Sequence, residues 1–387
     1  MHPLLLILCI GAVLLRTGSV VVSKRNEKVL KAQGAREYGR STSHLLAAAH
    51  TLFYGGALLE GLWRRTQPTL WTTVGLVLYA LAMESRASSQ VPAVQLNPGD
   101  IIYTDSGDAI NGGFVIKVDP MGVQTVIASG GNLRMPFGVA IDSNGQIVVS
   151  DSGRLIHIDP RTRIQTVLAD NSLGKLGSPY GIDIDISGQI LAANAQALVR
   201  VDLASGQTTV VSSGANFGAP LGVAVADNGE IYVANVAFPG QIVRVNPQNG
   251  SQKIIASGQY LNSPRSIAIQ GNDIYVTDVI NTNINYGLAG RVIHVDAHTG
   301  IQRVVSEGRL LVDPVGIAVD ANGQIIVGDP STVNPASLDP SSGGYDGAII
   351  RIDPATGDQT PLARGQGSYL NPRGVAVVPA AAITAKH

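Results

Sequence analysis

The chain has 387 residues, including 45 glycines, one cysteine and two tryptophans, and only 14% of its residues are charged. A disordered chain is excluded because it would be polar and rich in charge, and one cysteine excludes a disulfide scaffold. The net charge of −1 combines two unlike parts. Residues 1–90 carry ten Lys and Arg against four Asp and Glu, and residues 91–387 carry seventeen against twenty-four. The two parts are therefore considered separately.

Residues 1–90 are predicted to form a helical membrane segment. Apolar runs cover 3–22, 45–62 and 70–83, and the first has about the twenty residues that a helix needs to cross a bilayer. The basic linker 23–44 is placed in the cytoplasm by the positive-inside rule. Two or three hydrophobic helices fit this pattern. With three spans the rest of the chain is cytoplasmic, whereas it is exported if the third run does not span.

The membrane segment resembles the N-terminal part of bacterial isoprenylcysteine carboxyl methyltransferase-like proteins. The residues that carry this resemblance are SKRNEKVLKAQGAREYGRS at 23–41 and HLLAAAHTLFYGGALLEGLW at 44–63, and it extends over about 1–83. That family binds S-adenosylmethionine through an Arg-His-Pro motif and a later Glu in its C-terminal half. This sequence has no Arg-His-Pro, so methyltransferase activity is not expected, and the segment is either a membrane module or a fusion remnant.

After residue 97 the sequence repeats itself. Its landmark is Pro-x-Gly followed by alternating apolar residues, with Ser266 in place of Gly in one copy. The six copies are PFGVAID at 136, PYGIDID at 179, PLGVAVA at 220, PRSIAIQ at 264, PVGIAVD at 314 and PRGVAVV at 372. Three further strand patterns precede the first landmark and recur between successive landmarks, such as NGQIVVSD at 144, LIHIDP at 155 and QTVLAD at 165. Four short strands in forty-odd residues are typical of a β-propeller blade. The Asn-Gly pairs suit tight hairpins, because both residues tolerate positive φ.

The order of the landmarks predicts that the two ends of the repeat close the ring. The repeat opens with a second strand, 101–105, and ends with an unpaired first strand, 373–378. The last strand therefore completes the first blade, which removes free sheet edges. The expected fold class is all-β, a six-bladed β-propeller of four-stranded blades over 98–379. A linker, 91–97, precedes it, and a tail, 380–387, follows it.

The repeats resemble NHL-repeat propellers and, more distantly, the SMP-30/gluconolactonase and virginiamycin B lyase propellers. This resemblance covers 98–379 and is specific for the fold. It implies little about activity, because this architecture hosts scaffolds, lactonases and lyases.

Candidate functional residues lie on the face where each first strand begins, here called the top face. Three long loops, 105–113, 278–290 and 329–347, belong to neighbouring blades and form a one-sided crown. Loops held by a rigid scaffold commonly carry function, so the crown predicts a binding site for a protein or a small molecule. The alternative is neutral drift of surface loops.

One oxygen-bearing side chain ends the second strand of every blade. These residues are Asp105, Asp151, Asn194, Asn235, Asp278 and Asp329. Carboxylate and amide oxygens bind Ca²⁺, so Asp105, Asp278 and Asp329 are candidate ligands of calcium or another divalent metal. The favoured alternative is that each side chain caps a turn, in which case no cofactor is expected.

The residue inside each Pro-x-Gly lies near the mouth of the central channel. Phe137, Tyr180, Arg265 and Arg373 are candidate binding residues there. The two arginines suit an anion or carboxylate, or they pair with crown acids such as Asp108 or Asp346. The histidines of the third strands, His157 and His294, are predicted to be structural because a basic residue recurs at that position.

The sequence offers few signals of catalysis. It has no Gly-x-Ser-x-Gly, His-Glu-x-x-His or phosphate-binding loop. Nucleic-acid binding is not expected, because the propeller part is acidic and lacks tryptophan. The leading hypothesis is a membrane-anchored binding or scaffold module that uses its top face. The alternative is a metal-assisted hydrolase or lyase at the channel mouth.

Overall fold

The computed structural model describes residues 93–108, 112–280, 289–331, 347–364 and 371–380. The predicted membrane runs, most of the three crown loops and nearly all of the tail lie outside these residues. In the described part of the chain, no helix is long and apolar enough to cross a membrane.

The described residues form six antiparallel sheets of four strands each. Blade 1 contains β24 (Pro372–Val377), β1 (Ile101–Asp108), β2 (Gly112–Val118) and β3 (Gln124–Ser129). Blade 2 contains β4 (Pro136–Ile141), β5 (Ile147–Asp151), β6 (Arg154–Ile158) and β7 (Gln165–Asp170). Blade 3 contains β8 (Ile182–Ile184), β9 (Ile190–Ala193), β10 (Ala197–Val201) and β11 (Thr208–Ser213). Blade 4 contains β12 (Ala219–Val225), β13 (Ile231–Val236), β14 (Gln241–Val245) and β15 (Gln252–Ser257); blade 5 contains β16 (Pro264–Gln270), β17 (Asp273–Ile280), β18 (Ala289–Asp296) and β19 (Gln302–Glu307); blade 6 contains β20 (Gly316–Val319), β21 (Ile325–Asp329), β22 (Ala348–Ile352) and β23 (Gln359–Arg364). A short 3₁₀ helix, Asn171–Leu173, follows β7.

The ring closes as the order of the landmarks predicts. Strand β24 pairs antiparallel with β1, and Val377 lies opposite Ile101. The first strands of the blades contact one another in the order β24, β4, β8, β12, β16, β20 and back to β24. The six-bladed propeller and its closure by the last strand are thereby confirmed.

Apolar residues of neighbouring blades fill the spaces between the sheets. The core between blades 1 and 2, for example, joins Ile102 and Val115 of the first blade to Val139 and Ile147 of the second. The second strands read as continuous apolar runs because both of their faces are covered.

The glycine of Pro-x-Gly allows the first strands of adjacent blades to approach closely. A Cβ atom on Gly138 would lie 2.5 Å from the carbonyl oxygen of Tyr180, and one on Gly374 would lie 2.3 Å from that of Phe137. Real Cβ atoms do not approach an oxygen this closely. The landmark therefore reflects backbone packing around the channel.

The hairpins between first and second strands differ from the predicted tight turns with positive φ at both Asn and Gly. In the turn that begins at Asp142, Gly145 has a φ of 72°. Asn144 does not have a positive φ, and its N–H donates to the Asp142 carboxylate at 2.8 Å. The same carboxylate oxygen accepts from the Gln146 N–H. An Asp side chain therefore organises this turn.

A glutamine that begins the fourth strand links most neighbouring blades. Gln359 Oε1 accepts from the Leu310 N–H at 2.8 Å, and its Nε2 donates to the Gly308 carbonyl at 3.0 Å. Gln165 and Gln252 likewise accept from backbone N–H groups of the preceding blade or its exit loop. These bonds hold together the outer parts of the ring.

The predicted linker also takes part in the propeller core. Val94 and Leu96 are buried in the space between blades 1 and 2. The Val94 N–H donates to the Pro160 carbonyl at 3.2 Å.

Candidate functional site at the channel mouth

The channel mouth consists of the six side chains that stand inside the Pro-x-Gly landmarks. In ring order these are Arg265, Val315, Arg373, Phe137, Tyr180 and Leu221. One half of this ring carries two guanidinium groups, and the other half is aromatic and aliphatic. Arg265 is exposed and the other five are partly buried.

The two halves meet at Phe137. Its ring and the Tyr180 ring are tilted by 59°, with centroids 5.1 Å apart. The Cζ atom of Arg373 lies 6.0 Å from the Phe137 centroid, a distance at which a cation is attracted to an aromatic face. The sequence-predicted residues Phe137, Tyr180 and Arg373 are therefore brought together.

The described residues provide the Arg373 guanidinium with nearby negative charge but with no ion pair and no acceptor for Nε. Burial lowers its pKa, the negative charges of Asp313 and Asp105 raise it, and the positive charge of Arg265 lowers it again. Among the described residues, neither arginine has a carboxylate within salt-bridge distance. Arg373 Nε is buried without a hydrogen-bond partner in that part of the chain. The alternative partners, the Asp108 side chain and Asp346, lie outside the described residues.

The six Asp and Asn side chains at the ends of the second strands are buried and hydrogen-bonded to backbone. In the four blades that carry Asp, the carboxylate accepts from the loop that leads into the first strand, here called the lead-in loop. Asp151 accepts from Met135 N–H at 3.1 Å, Asp278 from Ser263 N–H at 2.7 Å and Asp329 from Val312 N–H at 2.7 Å. Asp105 accepts from the N–H groups of Asn371 and Gly107. These are the bonds that the capping alternative predicts.

The choice between Asp and Asn follows the groups that the loop presents. Asn194 and Asn235 each donate through Nδ2 to a lead-in carbonyl, those of Leu176 and Asn216, both at 2.9 Å. Asn235 Oδ1 also accepts from the Gly218 N–H, whereas the Asp carboxylates only accept, from the N–H groups of their lead-in loops. Each side chain therefore matches its own loop.

The candidate metal ligands have other partners. Asp278 forms a buried ion pair with Arg291, whose Nη2 lies 3.1 Å from Oδ2. Burial raises the pKa of Asp105 and Asp278 and raises that of Asp329 to about 6. Across the described ranges, no three His, Cys, Asp or Glu side chains are grouped closely enough to hold a metal ion.

Buried hydroxyl groups next to the capping residues were not identified from the sequence. Thr104 Oγ1 accepts from the Gly374 N–H at 2.8 Å and donates to the Phe137 carbonyl. The Ser150 hydroxyl likewise accepts from the Gly138 N–H and donates to the Tyr180 carbonyl. These hydroxyls connect the first strands of adjacent blades beneath the mouth. The hydroxyl residue directly before Asp in three copies, Thr104, Ser150 and Thr277, is the signal that could have revealed them.

Five of the six basic residues of the third strands pair with acids of their own blade, and the sixth, Arg351, has no such pair among the described residues. The pairs are Lys117–Asp100 at 3.3 Å, His157–Asp142 at 3.9 Å, Arg200–Asp185 at 2.8 Å, Arg244–Glu230 at 2.9 Å and His294–Asp273 at 2.5 Å. Both histidines thus contact an acid of their own blade, and their structural role stays a prediction.

Asp183 departs from the repeat, because alanine occupies its position in the other five blades. Its carboxylate accepts from the Val225 N–H at 2.8 Å and from the Ile184 N–H. Burial raises its pKa to about 6. Asp183 thus connects the first strands of blades 3 and 4.

Comparison with known proteins identifies the fold. No family model matches the chain. A stretch of 77 residues is 38% identical to an uncharacterized protein of Haemophilus influenzae, covering 19% of this chain and 44% of that relative, so the chain spans less than half of its length. The structure is similar to a chain in the crystal structure of a nidogen/laminin complex, with a TM-score of 0.56 and 14% identity over 73% of this chain and 98% of the other. It also matches a gluconolactonase of Xanthomonas campestris, with a TM-score of 0.47 and 15% identity over 72% of this chain and 90% of the other. The nidogen/laminin likeness agrees with the six-bladed propeller described above.

Proposed function

We propose that this protein is a propeller binding module that captures a ligand or a protein partner at the channel mouth. The observation that carries the proposal is the contrast between the mouth and the rest of the top of the propeller. The Gly and Asp or Asn positions recur around the ring and serve the backbone. The mouth positions instead hold dissimilar side chains, among them a buried guanidinium nitrogen without a described partner.

The top-face carboxylates favour binding over catalysis. A general base or metal ligand needs lone pairs directed at the reacting group or the ion. Asp278 is occupied by Arg291 and lead-in amides, and both oxygens of Asp329 accept backbone N–H groups. Substrate access to these carboxylates would require the loops to be rebuilt.

Two finer features belong to the same proposal. The repeats would be of the NHL type, and residues 1–83 would tether the propeller to a membrane. The crown loops would surround the mouth on one side and contribute further contacts to the partner.

The proposal is tested by mapping fragment binding on the full-length protein. Small acidic, neutral and basic fragments are screened by ligand-observed NMR against the wild type and against Val315→Trp, which fills the mouth with an indole. We expect fragments that bind the wild type to be lost in the variant, while the thermal unfolding of the two proteins stays alike. Binding that survives Val315→Trp, or no binding by any class of fragment, would refute a site at the mouth.

A panel of lactones and esters with added Ca²⁺, Mg²⁺ or Zn²⁺ addresses the alternative function. The binding proposal expects no turnover above that of buffer. Metal-dependent turnover that is removed by a chelator would instead establish the hydrolase or lyase.

A further inference from the structure

We infer that the channel mouth recognises a small monocarboxylate with an apolar body. This inference rests on the proposed function and names the chemical class of its ligand. The carboxylate would bind Arg373, and the body would pack on Phe137 and Tyr180. Nothing in the likeness to other propellers specifies such a ligand.

Arg373 lacks a hydrogen-bond acceptor at one buried nitrogen of its guanidinium among the described residues. A buried guanidinium nitrogen without an acceptor is unfavourable, and burial lowers the pKa of this side chain accordingly. Arg373 Nε is in that position among the described residues. A planar carboxylate satisfies a guanidinium through two parallel hydrogen bonds. A bound carboxylate would therefore give Arg373 Nε the hydrogen-bond acceptor that it lacks among the described residues.

The charges around the mouth favour a ligand with a single negative charge. Arg265 and Arg373 are the cations at the mouth, while Asp313 and Asp105 are close enough to Arg373 to act on its charge. Asp105 is engaged by backbone N–H groups. The formal charges of these two acids offset those of the two arginines, so the surroundings of Arg373 carry no large positive excess. A single negative charge fits this balance better than a phosphate or a polyanion, which the acids would repel.

The aromatic half of the mouth suits the apolar body of the ligand. Phe137 and Tyr180 form a tilted aromatic pair with centroids 5.1 Å apart, next to the partly buried Leu221. Arg373 stands at the Phe137 end of this pair, 6.0 Å from the ring centroid. An acid group and an apolar group in one small molecule can therefore contact both halves of the mouth. The same chemistry is available in a free organic acid and in the C-terminal carboxylate of an apolar peptide.

The test compares phenylacetate with phenylacetamide, its neutral counterpart of nearly the same shape. On the full-length wild type, we expect phenylacetate to bind at least about tenfold more tightly, because a charge-assisted bidentate contact is lost in the amide. Arg373→Met keeps an apolar stem and removes the charge, and it should abolish this difference. Arg134→Met is the matched control, since Arg134 is an exposed arginine of the blade 2 lead-in loop, and it should retain the difference.

A second measurement does not depend on the folding of a variant. The Nε–H resonance of Arg373 in the wild type should shift on addition of phenylacetate and stay in place with phenylacetamide. Equal affinities of the two probes, or a difference that survives in folded Arg373→Met, would overturn the inference. A peptide with a free C-terminal Phe and its C-terminal amide then distinguish the two sources of the carboxylate.

The outcomes also separate this inference from the proposed function. If neutral or basic fragments bind and Val315→Trp abolishes their binding, the mouth is a binding site and the monocarboxylate assignment is wrong. If no fragment binds at the mouth, both proposals fail.

Discussion

The hydroxyl of Thr104 provides a direct test of how the inner ring is held together. Its side chain is fully buried. Oγ1 accepts the Gly374 N–H at 2.8 Å and donates to the Phe137 carbonyl of the next blade. The β1–β24 ladder has an irregularity between Tyr103 and Asp105, and the hydroxyl supplies a partner to the backbone at that point.

Thr104→Val keeps the shape of the side chain and removes both hydrogen bonds. Each buried backbone group left without a partner costs about 1–3 kcal/mol, so for the two groups the loss of unfolding free energy should be about 2–6 kcal/mol. Thr104→Ser keeps the hydroxyl and removes one methyl group, which costs about 1 kcal/mol. We therefore expect Val to be the more destabilising substitution, although it is the more apolar one.

Calorimetry of the full-length protein measures the difference. Thr104→Val should lower the melting temperature by roughly 4–12 °C, and Thr104→Ser by a few degrees at most. Thr209→Val is the matched control, because Thr209 is exposed on an outer strand and should be nearly neutral. If Thr104→Val is as stable as Thr104→Ser, the hydroxyl does not join the blades and the reasoning is wrong.

Three further changes test other parts of the ring. Gly374→Ala would place a Cβ atom 2.3 Å from the Phe137 carbonyl oxygen, so it should cost about 1–3 kcal/mol in urea unfolding; an unchanged midpoint would contradict the close approach. The Asp329 carboxyl, followed by carbon NMR, should titrate with a pKa of about 6. The contribution of protonated Asp329 to the free energy of unfolding is then complete below pH about 4 and is lost as the pH rises through about 6. Titration of this carboxyl near pH about 4 would contradict its burial. Gln359→Leu removes the acceptor of the Leu310 N–H and should speed hydrogen exchange of that amide, and unchanged protection would show that the bond is not maintained in solution.

The fold could be predicted from the sequence because its signal is repeated. Any single copy, such as PYGIDID at 179, is weak evidence, but six copies in a fixed order indicate both the blade and the closure of the ring. Local turns were less predictable. The Asn-Gly pair at 144 predicts a tight hairpin with positive φ at both residues, whereas only Gly145 has a positive φ and the Asp142 carboxylate organises the turn. The side chain that determines the turn, Asp142, lies outside the Asn-Gly pair on which the prediction was based.

The partners of the polar residues could not be predicted from the repeat. Asp329 and Asn235 occupy equivalent positions and were assigned one shared role. The structure shows that Asp329 accepts from loop amides, whereas Asn235 also donates to a loop carbonyl. The difference arises from the lead-in loops, which vary among the blades and carry no common motif. The buried hydroxyl of Thr104 was missed for a related reason, since its partners belong to different blades.

The same reasoning explains why specificity is expected at the mouth. At Phe137 and Tyr180, the backbone carbonyl accepts a hydrogen bond from the preceding blade, and the side chain takes no part in that bond. Substitution of the side chain can therefore alter what the mouth binds without removing the inner hydrogen bonds. Gly374 and Thr104 cannot be substituted in this way, because their own atoms make the close contacts between the blades. A ring with six equivalent positions can thus hold an arginine at one of them and an aromatic residue at the next. Differences in ligand preference between propellers of this design are accordingly expected at these positions.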